Sequence, residues 1–166
     1  MSTPGIGSIN HVAGELFKMM AGVDLVAVHY RSSQFPDLLA GQVQVTFNPL
    51  PSSLEFIRSG KLRALAVTSV TRQAVLPDVP PVAQFLPGYE ATAWFGIGVP
   101  KGTPADIIAT LNREINAGLA DAKLKARLHD LGGEEFPGSP DDFAKFIAAE
   151  TAKWAKVVRF AGIKPQ

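Results

Sequence analysis

The sequence predicts an α/β fold built on a parallel sheet with crossover helices and completed by a helical C-terminal segment. Up to residue 68, stretches with helical apolar spacing alternate with short valine-rich runs, the order that crossover helices produce in a parallel sheet. Hydrophobic residues make up 46% and charged residues 19% of the 166 residues, ample material for a core. Beyond residue 103, helix-start signals recur and no strand pattern returns.

The elements follow in order. The turn Pro4-Gly5-Ile6-Gly7-Ser8 leads into a helix marked by Leu16, Phe17 and Met20, with Val12 or Ala13 one turn earlier; Gly22 ends it. Residues 24–30 read as a strand, 36–41 as a short helix stopped by glycine, and 43–47 as a second strand. Asn48 is placed as an N-cap and Pro49 at the first helical position of a helix with Leu54 and Ile57 on its apolar face, closed by Gly60. Residues 62–68 form the third expected strand. From 71 to 103, proline and glycine punctuate an extended connector, and 92–99 is expected to be a strand crossing between lobes. Thr103-Pro104-Ala105-Asp106 starts a helix with Ile107, Ile108, Leu111, Ile115 and Leu119 on one face. Asp121 caps the next, stopped by Gly132-Gly133. Ser139-Pro140-Asp141-Asp142 starts the last, whose stripe includes Phe143, Phe146, Trp154 and Val157.

Composition excludes several classes of function. The net charge is +1 and the basic residues are scattered, which gives no nucleic-acid footprint. No cysteine is present, so disulfides, thiolate metal sites and cysteine nucleophiles are excluded. No apolar run is long enough to cross a bilayer, and no basic n-region or apolar h-region follows Met1; as written, the chain is expected to stay in the cytoplasm. No HExxH, GxSxG or phosphate-binding loop occurs, and no metal or cofactor is expected. The pair His11 and Glu15 shares a helix face, the one constellation from which a hydrolase or lyase could be argued; two residues do not make a zinc site.

In open parallel sheets, ligands bind beyond the C-terminal ends of the strands, where helix N-termini point. That rule selects the turn Gly7, Ser8, Ile9, Asn10 and His11, the loop Tyr30, Arg31, Ser32 and Ser33, and Asn48. These residues offer neutral donors and one guanidinium, a set suited to a small anion. Each also has a plainer role: a structural turn, a helix cap, a surface charge, a packed ring. Their joint placement at strand ends is what favours binding.

The motifs also carry a resemblance. Gly5-Ile6-Gly7-Ser8 and His11 before Ala13-Gly14-Glu15-Leu16-Phe17, Asp37-Leu38-Leu39-Ala40-Gly41-Gln42-Val43, Gly60-Lys61-Leu62-Arg63-Ala64-Leu65-Ala66-Val67-Thr68, Leu76-Pro77-Asp78-Val79-Pro80, Trp94-Phe95-Gly96 and Pro100-Lys101-Gly102-Thr103-Pro104 occur in one order along the chain. Together they resemble the substrate-binding proteins of tripartite tricarboxylate transporters, the Bug family. The resemblance implies the second lobe of a type II periplasmic-binding-protein-like fold over residues 1–90. Over 91–166 it implies a crossover strand and C-terminal helices that pack on a first lobe preceding this region. It further implies a non-catalytic protein that binds a small carboxylate and delivers it to membrane permease subunits, periplasmic in location. A chain lacking that first lobe is expected to expose apolar surface and so to form homo-oligomers, or to be an orphan fragment that self-associates. Two departures stand out. Ser32-Ser33-Gln34-Phe35-Pro36 replaces a glycine-containing loop, and Asn48 stands where aspartate is common, which disfavours a ligand bearing an amine.

Overall fold

The computed structural model describes residues 1–164. The chain divides into two compact units: Met1–Ala93 joined by the chain from Ala152 onward, and Trp94–Thr151. The first unit therefore includes the last stretch of the C-terminal helix.

In the first unit, β1 (Ser2–Thr3) lies at the centre of a small parallel sheet. It pairs with β2 (Val28–His29) in the register Ser2 to Val28 and Thr3 to His29, and Ser2 also bridges Thr46 in parallel. The ladder runs from Val28 N–H to Met1 O (2.8 Å), Tyr30 N–H to Thr3 O (2.9 Å) and Ser2 N–H to Val45 O (2.9 Å). The fold class expected from sequence is the one observed, but the strands differ in detail. The expected strand 24–30 pairs only at 28–29 and the expected strand 43–47 only at Thr46. The stretch 62–68 bridges Pro81 through Val67 instead of joining this sheet. Residues 2–3, too polar and too few to read as a strand, are fully buried because a central strand has neighbours on both edges.

α1 (Ile9–Ala21) crosses from β1 to β2 and ends where Gly22 adopts φ 67°, a left-handed conformation open to glycine, with its N–H on Lys18 O at 3.0 Å. α2 (Phe35–Leu39) and α3 (Leu50–Arg58) follow. Val12, Ala13 and Leu16 of α1 pack with Val82, Tyr89, Ala91 and Val157 to form the core. Phe17 meets the rings of Phe47 and Tyr89, and the buried Tyr89 hydroxyl donates to Ala13 O at 3.0 Å. Burial pushes the Tyr89 phenol well above its ordinary range, so it remains a donor.

The second unit holds α4 (Ala105–Ala120), α5 (Ala122–Asp130) and the start of α6 (Pro140–Phe160). Asp121 Oδ1 accepts from Lys123 and Leu124 N–H, as a cap should. Ser139 and Asp142 cap α6 reciprocally: Asp142 N–H donates to Ser139 Oγ, and Ser139 N–H donates to Asp142 Oδ2, both at 3.1 Å. The stretch 92–99 makes none of the expected strand pairings among the described residues, yet its side chains alternate. Trp94 packs on Phe143 and Phe146, and a Cβ on Gly96 would meet the Phe143 ring. Phe95 and Ile97 face away, 98% and 67% exposed.

The core makes two substitutions informative. Val157→Ala removes two methyl groups from a side chain with no exposed surface and is expected to cost about 2 kcal/mol. Tyr89→Phe removes one buried hydrogen bond and is expected to cost about 1 kcal/mol. Urea unfolding of each variant measures both.

Candidate functional site

Parallel pairing fixes the direction in which the chain leaves the sheet. Because Ser2 and Thr3 run parallel to 28–29 and to Thr46, the segments that follow (the turn from Pro4, the loop from Tyr30, and Phe47-Asn48) leave from one edge. The residues expected to bind therefore start from a common rim.

At the head of α1, Ser8 holds extended backbone (φ −62°, ψ 158°) and caps the helix. Its Oγ accepts from His11 N–H at 3.3 Å and donates to Gly5 O at 2.8 Å. The first amides of a helix have no intrahelical acceptor; among the described residues those of Ile9 and Asn10 are left over. Gly7, with φ 75°, turns its N–H onto His11 Nδ1 at 3.0 Å. That amide, read from sequence as a donor for an anion, is thus engaged within the chain. His11 correspondingly sits inward, buried, with its ring edge-on to His29 at 4.7 Å between centroids and Nε2 3.7 Å from Glu15 Oε1. Burial, then the neighbouring His29, with a smaller contribution from Lys18, hold its pKa below the ordinary value; Glu15 opposes them.

Asn48 is not the cap of α3. Pro49 occupies that position, since its φ of −54° and ψ of 133° put the first helical residue at Leu50. The Asn48 side chain is used elsewhere. Its Oδ1 accepts from Asn10 Nδ2 and from Gln34 Nε2, the latter at 2.9 Å. Two donors on one oxygen fix the orientation of the carboxamide. Its Nδ2 is then left buried and without a hydrogen-bond partner. Gln34, itself buried, was missed in the sequence; its only signal was its position directly before Phe35-Pro36 in a strand-end loop.

The 30–33 loop is more open. The Tyr30 hydroxyl donates to Asp37 Oδ2 at 2.9 Å, and its pKa is raised by lost solvation, then by that hydrogen bond and the Asp37 charge. Ser33 Oγ accepts from Phe35 N–H at 3.4 Å. Arg31 and Ser32 are exposed, and among the described residues the Arg31 guanidinium has no hydrogen-bond or ion-pair partner. The structure thus joins Gly7, Ser8 and His11 to one another, and Asn10 to Asn48. Arg31 shares their edge without a bond to them.

A broad open depression of about 910 Å³ flanks this edge, lined by Glu15, Lys18, Asp24 and His29 together with the segment 160–164; it shares only His11 with the expected set. Among the described residues no cluster of three or more metal-ligating side chains is placed to hold a cation. The rim as built can offer hydrogen bonds and one positive charge to an anion.

Comparison with known proteins bears on the same stretch. Residues 1–163 match the model of the family TctC, described as the tripartite tricarboxylate transporter family receptor. BugT of Bordetella pertussis is 38% identical over 162 residues, which is 96% of this chain and 50% of that protein. Among solved structures, Rpa4515 of R. palustris with adipate superposes with a TM-score of 0.84 at 39% identity, covering 99% of this chain and 56% of that one. The periplasmic binding protein BugD superposes at 0.80 with 32% identity, covering 99% and 57%. The chain spans about half the length of most of the curated relatives it matches.

The site generates two expected outcomes. Asn48→Ala leaves the Asn10 and Gln34 amides facing no acceptor and is expected to lower stability by about 1–3 kcal/mol, read by urea unfolding. For His11, a folded pKa below 6.5 means that folding favours the neutral ring. Its contribution to stability is full above that ordinary value and is lost as pH falls through the lowered one. Unfolding midpoints across this window should show a His11-dependent fall toward acid that His11→Asn removes.

Proposed function

Because the chain belongs to the tripartite tricarboxylate transporter receptor family, we propose that it is a non-catalytic receptor segment that captures a small carboxylate and passes it to membrane permease subunits. The observation that carries this reading is the buried Asn48 Nδ2, a donor held in place by two hydrogen bonds to its own oxygen and left without an acceptor. An unpaired buried donor costs about 1–3 kcal/mol, a penalty that an incoming carboxylate oxygen relieves. The leftover Ile9 and Asn10 amides at the positive end of α1 and the Arg31 guanidinium on the same edge supply the remaining attraction.

The rim of residues 7–11, 30–33 and 48 is the proposed binding surface. Within it, Ile9, Asn10, Arg31 and Asn48 contact the ligand while Gly7, Ser8, His11 and Tyr30 hold the frame. A dicarboxylate of the adipate type suits this donor set, and the similar Rpa4515 was solved with adipate. Asparagine at position 48 offers no charge to a ligand amine, which favours plain acids over amino acids. The similarity to BugD supports a periplasmic setting.

A second reading rests on Phe95 and Ile97. An exposed apolar face on a stretch with unpaired backbone favours self-association, giving homo-oligomers through residues 94–99.

Calorimetry on the 166-residue protein separates the readings. Adipate is expected to give saturable heat and 1,6-hexanediol none, and Arg31→Ala should weaken adipate by about tenfold. Equal binding of the diol, or no response to adipate from a protein that is oligomeric by light scattering, would favour the second reading.

A further inference from the structure

We propose that His11 is a positioning residue whose neutral imidazole latches the glycine turn, so that carboxylate capture at the head of α1 weakens as the ring takes up a proton. The proposal rests on the binding reading above and adds its regulation. It starts from one hydrogen bond. Gly7 N–H donates to His11 Nδ1 at 3.0 Å, so Nδ1 carries a lone pair and the single ring proton sits on Nε2. Nε2 lies 3.7 Å from Glu15 Oε1, near enough to feel the carboxylate without a direct hydrogen bond. A second proton must go onto Nδ1. There it faces the Gly7 N–H, donor against donor, and the latch opens.

What the latch holds is local and specific. Gly7 is exposed and sits at φ 75°, and among the described residues its amide has His11 as its one acceptor. Of the other ties of the turn, Thr3 Oγ1 donates to Gly5 O at 3.4 Å, Ser8 N–H and Oγ both reach the same oxygen, and Ser8 in turn caps the His11 amide. Residues 7, 8 and 11 therefore form one closed set directly before the Ile9 and Asn10 amides. Releasing Gly7 loosens the turn that aims them.

The groups facing His11 set the poise of the switch. On α1, Glu15 favours the charged ring, while Lys18, 3.1 Å from Glu15 and 3.6 Å from Asp24, draws off part of that carboxylate's influence. On β2, His29 stands edge-on to the ring. The Met1 amino group of the central strand lies close enough to Lys18 to feel its charge, and Lys164 of the C-terminal segment lines the same depression. Burial adds to the cations, and the net effect holds the His11 pKa low. His29 is not the group that holds Gly7: its Nδ1 is bound to Thr3 Oγ1 at 2.7 Å, and among the described residues its hydrogen-bond link to the turn runs through that hydroxyl to Gly5 O, not to the Gly7 amide.

The test combines binding with a readout that needs no ligand. Adipate affinity of the 166-residue protein is measured at about pH 8 and about pH 5.5, and nitrogen NMR follows the His11 tautomer together with exchange of the Gly7 amide. Expected are an Nε2–H tautomer and a protected Gly7 amide at the higher pH, and an affinity about fivefold to tenfold weaker at the lower. His11→Leu should bind weakly at both. His11→Asn, whose Oδ1 stands as many bonds from Cα as Nδ1 and does not titrate, should recover most of the affinity and flatten the pH response. His29→Gln should keep that response. An Nδ1–H tautomer at the higher pH, a freely exchanging Gly7 amide, or a pH response that survives in His11→Asn overturns the latch. A wild type that binds no adipate at either pH overturns the receptor reading, and the tautomer and exchange data still decide the latch.

Discussion

The Asn48 side-chain oxygen is the junction on which the rim depends. It receives one hydrogen bond from Asn10 in the first turn of α1 and another from Gln34 at the entrance to α2. Three stretches of chain far apart in sequence are thereby fixed at the edge of a sheet whose ladders are only two residues long. So short a sheet specifies little geometry through its own backbone. A carboxamide serves here better than a carboxylate would. Its oxygen satisfies two donors while its nitrogen remains a donor, so that one side chain ties three segments together.

The rim thus divides its polar groups by task. The Gly7 amide, the Ser8 hydroxyl and the Tyr30 hydroxyl are spent inside the chain, on His11, Gly5 and Asp37. The amides of Ile9 and Asn10, the Asn48 nitrogen and the Arg31 guanidinium are left over. These four groups are donors and carry a single positive charge, the basis of the proposed carboxylate binding.

The helices were legible in the sequence because their signals are local. Gly22 in its left-handed conformation, Asp121 on two amides, and Ser139 with Asp142 all act within one turn of chain. The strands were less so, since pairing is decided by partners: 62–68 reads as a strand but joins Pro81 rather than the central ladder, while buried Ser2-Thr3 has no pattern at all. For the candidate rim, positions at strand ends were legible but not the side-chain bonds they make. The rule that ligands sit beyond strand ends selected Asn10, Arg31 and Asn48. It could not foresee that Asn48 would yield the cap of α3 to Pro49, that His11 would turn inward to hold Gly7, or that Gln34 would complete the junction, because side-chain hydrogen bonds between distant segments leave no periodicity.

The stretch 94–99 carries a consequence of another kind. Its even positions, Trp94 and Gly96, lie against the aromatic rings of α6, and its odd ones, Phe95 and Ile97, stand in solvent. A protease cleft takes its substrate as a single extended strand with free amides and a side chain reaching into a specificity pocket. Residues 94–99 present that form without prior unfolding, with an aromatic at the centre. A chymotrypsin-like enzyme would therefore nick the chain after Phe95 first. The C-terminal piece so released would still contain Val157, whose side chain is enclosed by the core of the first unit, so the cut would sever the backbone before it separated the parts.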